Sequence, residues 1–305
     1  MIKGRCKKCG KVLHLEEDIA EFTCMYCGAK LRSDDLLPAD MEQNPAEADR
    51  HFQYAERHIL DCVLKHRDIL KHFNRVEYIP SFSKYIAACG KVFDELNAAA
   101  MLNTDRRDEF IDTLVNKLIS GLEADWQTAP NWDKKKVQNE IIERDKMVIA
   151  IYLVPMVGKL NYAISEDFSE TLRDTWVEKY PKHIFNVGNY DKIVGSYESK
   201  LKLCFITTAV CENSGKADDC YELTTLRAFR DNWLAFSPGG AELIQEYYNI
   251  APAIVTCMEL TDGDYQDIND TYIRPCVTDI ENGDMVSCRD RYVKMVRELK
   301  KKYLA

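Results

Sequence analysis

The sequence predicts a mainly α protein, a helical bundle preceded by a small β-hairpin zinc ribbon, and three observations carry that reading. Only 13 glycines and 9 prolines occur among 305 residues, well below the usual share of roughly 12% for the two chain breakers, so long uninterrupted elements are expected. Apolar residues recur at three- and four-residue steps through the middle of the chain. Near the N-terminus two Cys-x-x-Cys-Gly motifs are separated by 14 residues, in a segment too short to bury a core of its own. With 46% hydrophobic and 30% charged residues, collagenous, low-complexity and disordered readings are excluded. The longest apolar run, Met147 to Val157, is eleven residues, short of the roughly 18 that a membrane span needs. No membrane partner is expected.

The first element, residues 1–32, is the ribbon. Cys6, Cys9, Cys24 and Cys27 form two knuckles, and the glycine after each second cysteine permits the positive φ that aims backbone N–H groups at sulfur. Lys11 to Glu16 and Ile19 to Thr23 alternate between the knuckles as the strands of a short hairpin would. Four soft thiolates make a closed tetrahedral site for one structural zinc ion, whose binding to such a segment contributes on the order of 10–16 kcal/mol. Iron, as in rubredoxin, is the alternative ion. His14 is not needed as a ligand, because four thiolates complete the shell.

Residues 33–46 carry two prolines and no periodic pattern, and read as a linker. From 47 to 190 the pattern is a helical domain. Phe52, Ala55, Ile59, Cys62 and Phe73 recur at helical spacing, then Phe82, Ile86, Cys89, Phe93, Leu96 and Ala100 step by 4-3-4-3-4. Phe110 to Leu122 follow after Asn103-Thr104-Asp105, Val137 to Val154 carry a helix up to Pro155, and Ser165 opens another through Trp176. His58, Cys62 and His66 fall at i, i+4 and i+8, with His51 and His72 on neighbouring turns. That spacing suits a transition metal, and equally a packed cysteine flanked by surface histidines.

Residues 191–305 form a second helical region. Leu203 to Cys211 is apolar and too short to classify, Asn213 to Asp219 is a polar loop ending in an N-cap pair, and helices follow over Leu223–Trp233 and Ala241–Asn249, the latter ending before Pro252. Asp262-Gly-Asp264-Tyr-Gln-Asp267 lacks the order of a calcium loop and reads as a solvated helix boundary. Arg289 to Leu304 is a terminal amphipathic helix.

Cys204-Phe205-Ile206-Thr-Thr-Ala209, then Leu226-Arg227-Ala228-Phe229-Arg230-Asp231, then Tyr247-Tyr248 before Ala251-Pro252, resemble the bacterial CFI-box segment over about 50 residues. The resemblance implies a recurring structural or functional unit and no particular reaction. Three readings of Cys204, Cys211 and Cys220 stay open. They could be metal ligands, with Cys276 or Cys288 as a fourth. Cys204 could be a nucleophile, with Arg227, Arg230 and Asp231 shaping its pocket and His183 as base. Or they are core residues, with Arg230 and Asp231 an internal ion pair.

The net charge of −9 divides unevenly: residues 1–12 carry +5 and residues 289–305 another +5, so residues 13–288 carry −19. Nucleic acid is not expected on the body and only at the basic ends. The N-terminus has no secretory pattern, and twelve cysteines without one point to a reducing, cytoplasmic setting. The function expected is a non-enzymatic interaction or regulatory module that meets a protein partner through ribbon and helical body. The alternative is a cysteine-dependent enzyme with Cys204 as nucleophile. An enzyme needs an exposed, acidic thiol in a cleft; a packing cysteine is dry and inert.

Overall fold

A computed structural model describes residues 1–6, 10–16, 19–26, 28–39, 43–198 and 204–304, which are mainly helical behind a small N-terminal β region. β1 (Ile2–Arg5) pairs antiparallel with β2 (Val12–Leu15), placing Gly4 opposite Leu13. β3 (Glu21–Thr23) pairs with β4 (Lys30–Arg32), placing Phe22 opposite Leu31. Both segments between the cysteine motifs are strands, but they do not form a hairpin with each other. Each pairs across its own motif, because the turn at each motif reverses the chain and brings its own flanks together.

The other edge of β1 holds β5 (Leu37–Pro38), inside the stretch expected to be patternless linker. Pro38 can sit there because an edge strand need not donate from every residue. Gly4 permits the approach, since a Cβ on it would lie 2.8 Å from Leu36 Cβ.

The chain divides into two compact units, one of residues 1–67 and 82–190, the other of 68–81 and 191–305. In the first, α1 (Pro45–His58) starts at Asn44, whose side chain accepts the Glu47 N–H at 3.2 Å and donates to the Glu47 carboxylate at 2.9 Å. This is a reciprocal cap with proline at the first helical position. The apolar pattern over 52–73 is not one helix: α1 ends at His58, α2 (Asp61–Leu64) is a short turn, and a 3-10 stretch runs over Arg67–His72, all but its first residue grouped with the second unit. α3 (Tyr78–Leu102, its residues 78–81 grouped with the second unit) and α4 (Arg107–Gln127) follow the predicted stripes, then come α5 (Lys135–Val148), α6 (Val154–Leu160) and α7 (Ser165–Lys179). Their core is aromatic, with Phe52 stacked on Phe110 at 4.7 Å, Phe93 edge-on to Phe168 at 4.9 Å, and Trp126 edge-on to Trp176 at 6.0 Å. Each such side chain contributes roughly 1.5–3 kcal/mol on burial.

The second unit holds α8 (Tyr190–Glu198, its first residue grouped with the first unit), α9 (Phe205–Asn213), α10 (Tyr221–Asn232), α11 (Gly240–Leu260), α12 (Tyr265–Ile268), α13 (Arg274–Glu281) and α14 (Met285–Leu304). Its core gathers Ile254, Cys257, Met258, Ile273, Cys276, Cys288 and Met295, all fully buried. Of the short apolar stretch that periodicity left unclassified, Phe205 to Cys211 is helical in α9, and Leu203 lies outside the described residues. None of the described helices is long and apolar enough to cross a membrane.

Prolines stop fewer helices than expected. Between α5 and α6 a wide turn over Ile149–Leu153 sends the Val154 N–H back to Ile149 O, so the helical path continues past Pro155. The same device recurs over Asn269–Ile273, where Arg274 N–H reaches Asn269 O just before Pro275. A π turn shifts the hydrogen-bond ladder by one residue ahead of a residue that has no N–H to give. Pro252 lies inside α11, which runs on to Leu260 rather than ending at Asn249.

Candidate functional site

Within the N-terminal β region, Cys6 and Cys24 open two nearly identical turns. Gly10 N–H donates to Cys6 O at 2.8 Å with φ +66°, and Gly28 N–H donates to Cys24 O at 2.9 Å with φ +70°. Cys6 N–H returns to Lys11 O at 2.9 Å, and Cys24 N–H to Ala29 O at 2.8 Å. Both cysteines are buried, at 0% and 1% exposure, in one small core with Leu13, Ala29 and Leu31. Cys9 and Cys27 lie outside the described residues. His14 is exposed on β2 opposite Lys3. At the second turn Met25 and Tyr26 are 80% and 58% exposed.

The histidine-flanked helix is arranged differently from its sequence spacing. The break after α1 turns the His58 ring onto Tyr54 at 4.4 Å and toward Asp61 at 3.7 Å. His51 is held by Glu95 at 2.5 Å, and His72 lies in the second unit beside Glu77 at 3.3 Å. His58, Cys62 and His66 are therefore not gathered at one point. Instead, His66 Nε2 meets Cys89 Sγ of α3 at 3.4 Å, and the Tyr85 hydroxyl, one turn before Cys89, donates to Cys62 O at 2.9 Å. Sequence reasoning placed Cys89 among packing residues. The available signal was two i, i+4 pairs, Cys62 with His66 and Tyr85 with Cys89.

The pair of sulfurs splits in acidity. The neighbouring Cys62 thiol, whose Sγ lies 3.8 Å from His58 O, and then the contact with His66 outweigh burial and bring Cys89 down to about 6. Cys62 in turn is pushed well above an ordinary thiol by the neighbouring Cys89 thiol and by burial.

In the second unit three separated stretches, Cys204–Ala209, Leu226–Asp231 and Tyr247–Tyr248, converge on the start of α9. Arg230 Nη1 lies 3.6 Å from Cys204 Sγ, the Ile206 N–H donates to Tyr247 Oη at 3.0 Å, and Phe205 packs 6.5 and 6.4 Å from the rings of Tyr247 and Tyr248. Arg227 binds Asp218 at 2.7 Å and Arg230 binds Asp231 at 2.7 Å. The expected N-cap aspartate is thus spent on a guanidinium, and Cys220 takes the cap position of α10 without a side-chain bond. Burial raises the Cys204 thiol, against the opposing charges of Arg230 and Arg227, and only 5% of the residue is exposed. His183 belongs to the first unit, where its Nδ1 meets Glu143 Oε1 at 2.7 Å and its carbonyl accepts the Trp176 indole at 2.8 Å.

Among the described residues, Cys211, Cys220 and Glu222 form the metal-donor group whose atoms lie within 4.8 Å of one another. Lys216 already pairs with the Glu222 carboxylate, supplying a positive charge at that carboxylate. Cys211 is pushed up to about 12 by burial and by its bond to Cys220. Cys276 and Cys288 belong elsewhere in the unit, where Cys276 Sγ contacts Cys288 O at 3.7 Å. Asp264 caps α12 through the Asp267 N–H at 3.0 Å, so the acidic stretch there is a helix start. No family model, no curated protein and no solved structure matches the chain.

Proposed function

We propose that this chain is a zinc-ribbon interaction protein of the cytoplasm, in which one structural ion is held by Cys6, Cys9, Cys24 and Cys27. The observation that carries the reading is the pair of equivalent turns at Cys6 and Cys24, both delivering a buried sulfur into a core of a few small side chains. Such a core is too small to hold four strands together alone. A closed thiolate site fits it, since soft sulfur donors from tight glycine-ended turns are the donor set zinc takes in structural sites. The ion supplies cross-linking of the two hairpins and no chemistry.

What the ribbon then offers is surface. Met25 and Tyr26 stand out from the second turn, a flexible apolar side chain and an aromatic of the kind that anchors protein interfaces. The partner is a protein met by this tip, with the acidic body as a second contact face and polyanion contact confined to the basic ends. We read the CFI-box-type segment as a structural unit, because its conspicuous residues bind one another around the start of α9. The enzyme reading of Cys204 is weaker, since burial holds that thiol in its protonated form.

The test has two arms on the full chain. Elemental analysis should return one zinc per chain, lost to a strong chelator together with amide protection in β1–β4 while helical circular dichroism persists. Met25→Ser/Tyr26→Ser should keep the zinc and lose the protein captured by the wild type from a cell extract. Absence of metal in native protein, or capture indifferent to the double substitution, overturns the reading.

A further inference from the structure

We propose that Cys211, Cys220 and Glu222 form an exchangeable metal site in the second unit, which takes a zinc-class divalent cation in competition with the ammonium of Lys216. The inference is independent of the ribbon and of its protein partner. It stands on convergence: two sulfurs and one carboxylate oxygen from these residues all lie within 4.8 Å of one another. They come from separate parts of the chain. Cys211 belongs to the last turns of α9, Cys220 sits just before α10, and Glu222 lies in the first turn of α10.

The backbone builds this arrangement without help from an ion. α9 ends at Asn213, Gly215 turns the chain at φ +70°, and the Lys216 N–H returns to Cys211 O at 2.9 Å. The Cys220 N–H then donates to Ala217 O at 3.0 Å, and Cys220 O accepts the Thr224 N–H at 3.0 Å, which fixes the second cysteine at the mouth of α10. Cys211 packs with Leu223 in a small core and is buried, whereas Cys220 is half-buried and Glu222 keeps 18% of its side chain in solvent. An ion therefore enters from the side of Cys220 and Glu222 and meets the buried sulfur last.

Donor chemistry selects the ion. Two thiolates and a carboxylate suit zinc and its thiophilic relatives, while calcium and magnesium require oxygen donors throughout. Three protein donors leave the fourth position of a tetrahedral ion to water. Binding expels the two thiol protons and releases Lys216, whose ammonium pairs with the Glu222 carboxylate and is attracted by both sulfurs. The three donors thus face a position that already favours positive charge. The same ammonium competes with an incoming ion, which makes the site one that loads and empties rather than one that holds the fold. Cys204 shares the small core but has Arg230 Nη1 at 3.6 Å from its sulfur, so a guanidinium stands where a metal would have to be.

The experiment desalts full-length reduced protein, measures its retained zinc and titrates it with cobalt(II) at neutral pH. The expected result is one cobalt bound beyond the retained zinc, with sulfur-to-cobalt charge transfer and the visible absorption of tetrahedral cobalt. Cys211→Ser and Cys220→Ser, the latter at a half-buried position, should each remove this added absorption, and Cys204→Ala should keep it. Glu222→Gln should weaken cobalt binding by at least the roughly tenfold that loss of an outer-shell partner costs a metal site. Lys216→Gln, which retains the backbone bond to Cys211, should tighten it by about threefold. Opposite shifts from the two members of one ion pair are a pattern that damage to the fold does not produce. No charge-transfer band, a band that survives Cys220→Ser, cobalt entering only as zinc leaves, or Lys216→Gln binding no more tightly than wild type would each overturn the proposal.

Discussion

Arg67 closes on Asp145 across 78 residues of chain, Nε to Oδ1 at 2.8 Å and Nη2 to Oδ2 at 2.6 Å. The carboxylate is wholly buried and also accepts the Trp126 indole N–H at 2.8 Å and Arg144 Nε at 3.0 Å. Asp125 shares Nη2 of the same guanidinium, at 2.5 Å. One buried anion thereby ties the chain after α2 to α4 and α5.

Removing that anion leaves a part-buried cation and a buried indole N–H without their main acceptor. Asp145→Ala should cost about 3–5 kcal/mol, read from urea unfolding followed by tryptophan fluorescence. Asp125→Ala, at a carboxylate one-third exposed, should cost under about 1 kcal/mol. Equal costs would show that the buried network is not the anchor.

Gly28→Ala isolates backbone strain in the N-terminal β region and tests the proposed zinc site. With φ at +70° and nothing within 4 Å of the added Cβ, the penalty is conformational alone, about 1–2 kcal/mol. If the ion and the turn are coupled, zinc affinity falls roughly 5- to 30-fold, measurable by competition with a chromophoric chelator. Unchanged affinity would separate the turn from the metal.

Cys204 should behave as a slow thiol. A raised pKa lowers the thiolate fraction at every pH below it, so alkylation at pH 8 should lag behind that of an ordinary exposed thiol and accelerate only on unfolding. Arg230→Met removes a charge that opposes burial, so the thiol should rise further and react more slowly still. Rapid selective labelling of Cys204 in the native state would instead support the enzyme reading.

Tyr247→Phe tests the unit formed around α9. The Ile206 N–H loses its acceptor at 3.0 Å, and an unsatisfied buried donor costs about 1–3 kcal/mol. The measurement is the shift in the unfolding midpoint, together with loss of amide protection at Ile206. No change in either would mean that a water replaces the hydroxyl.

Much of this architecture was legible because amphipathic spacing is local. Phe82 to Ala100 and Phe110 to Leu122 need only the 3.6-residue period to become α3 and α4. The misjudged boundaries have a common cause: a proline removes one N–H, and a wide turn ahead of Pro155 or Pro275 shifts the ladder past the gap in a way that composition does not register. Strand partners in the N-terminal β region were misassigned because pairing depends on where the chain reverses, which alternation does not report. Cys6 and Cys24 were legible as a pair from their repeated motif. The contact between His66 and Cys89 was not, since the two are 23 residues apart in sequence and lie on different elements.

The excursion of residues 68–81 decides how this polypeptide can be dissected. A fragment stopping at Tyr190 would keep Phe73 and Tyr78 but discard Tyr197, whose ring lies 6.1 and 6.0 Å from theirs. Two fully buried aromatics would then be opened to solvent on a stump with an oily flank, inviting aggregation. The scissors must close twice, after Arg67 and before Phe82 as well as at Tyr190, so simple truncations of this chain are poor reagents.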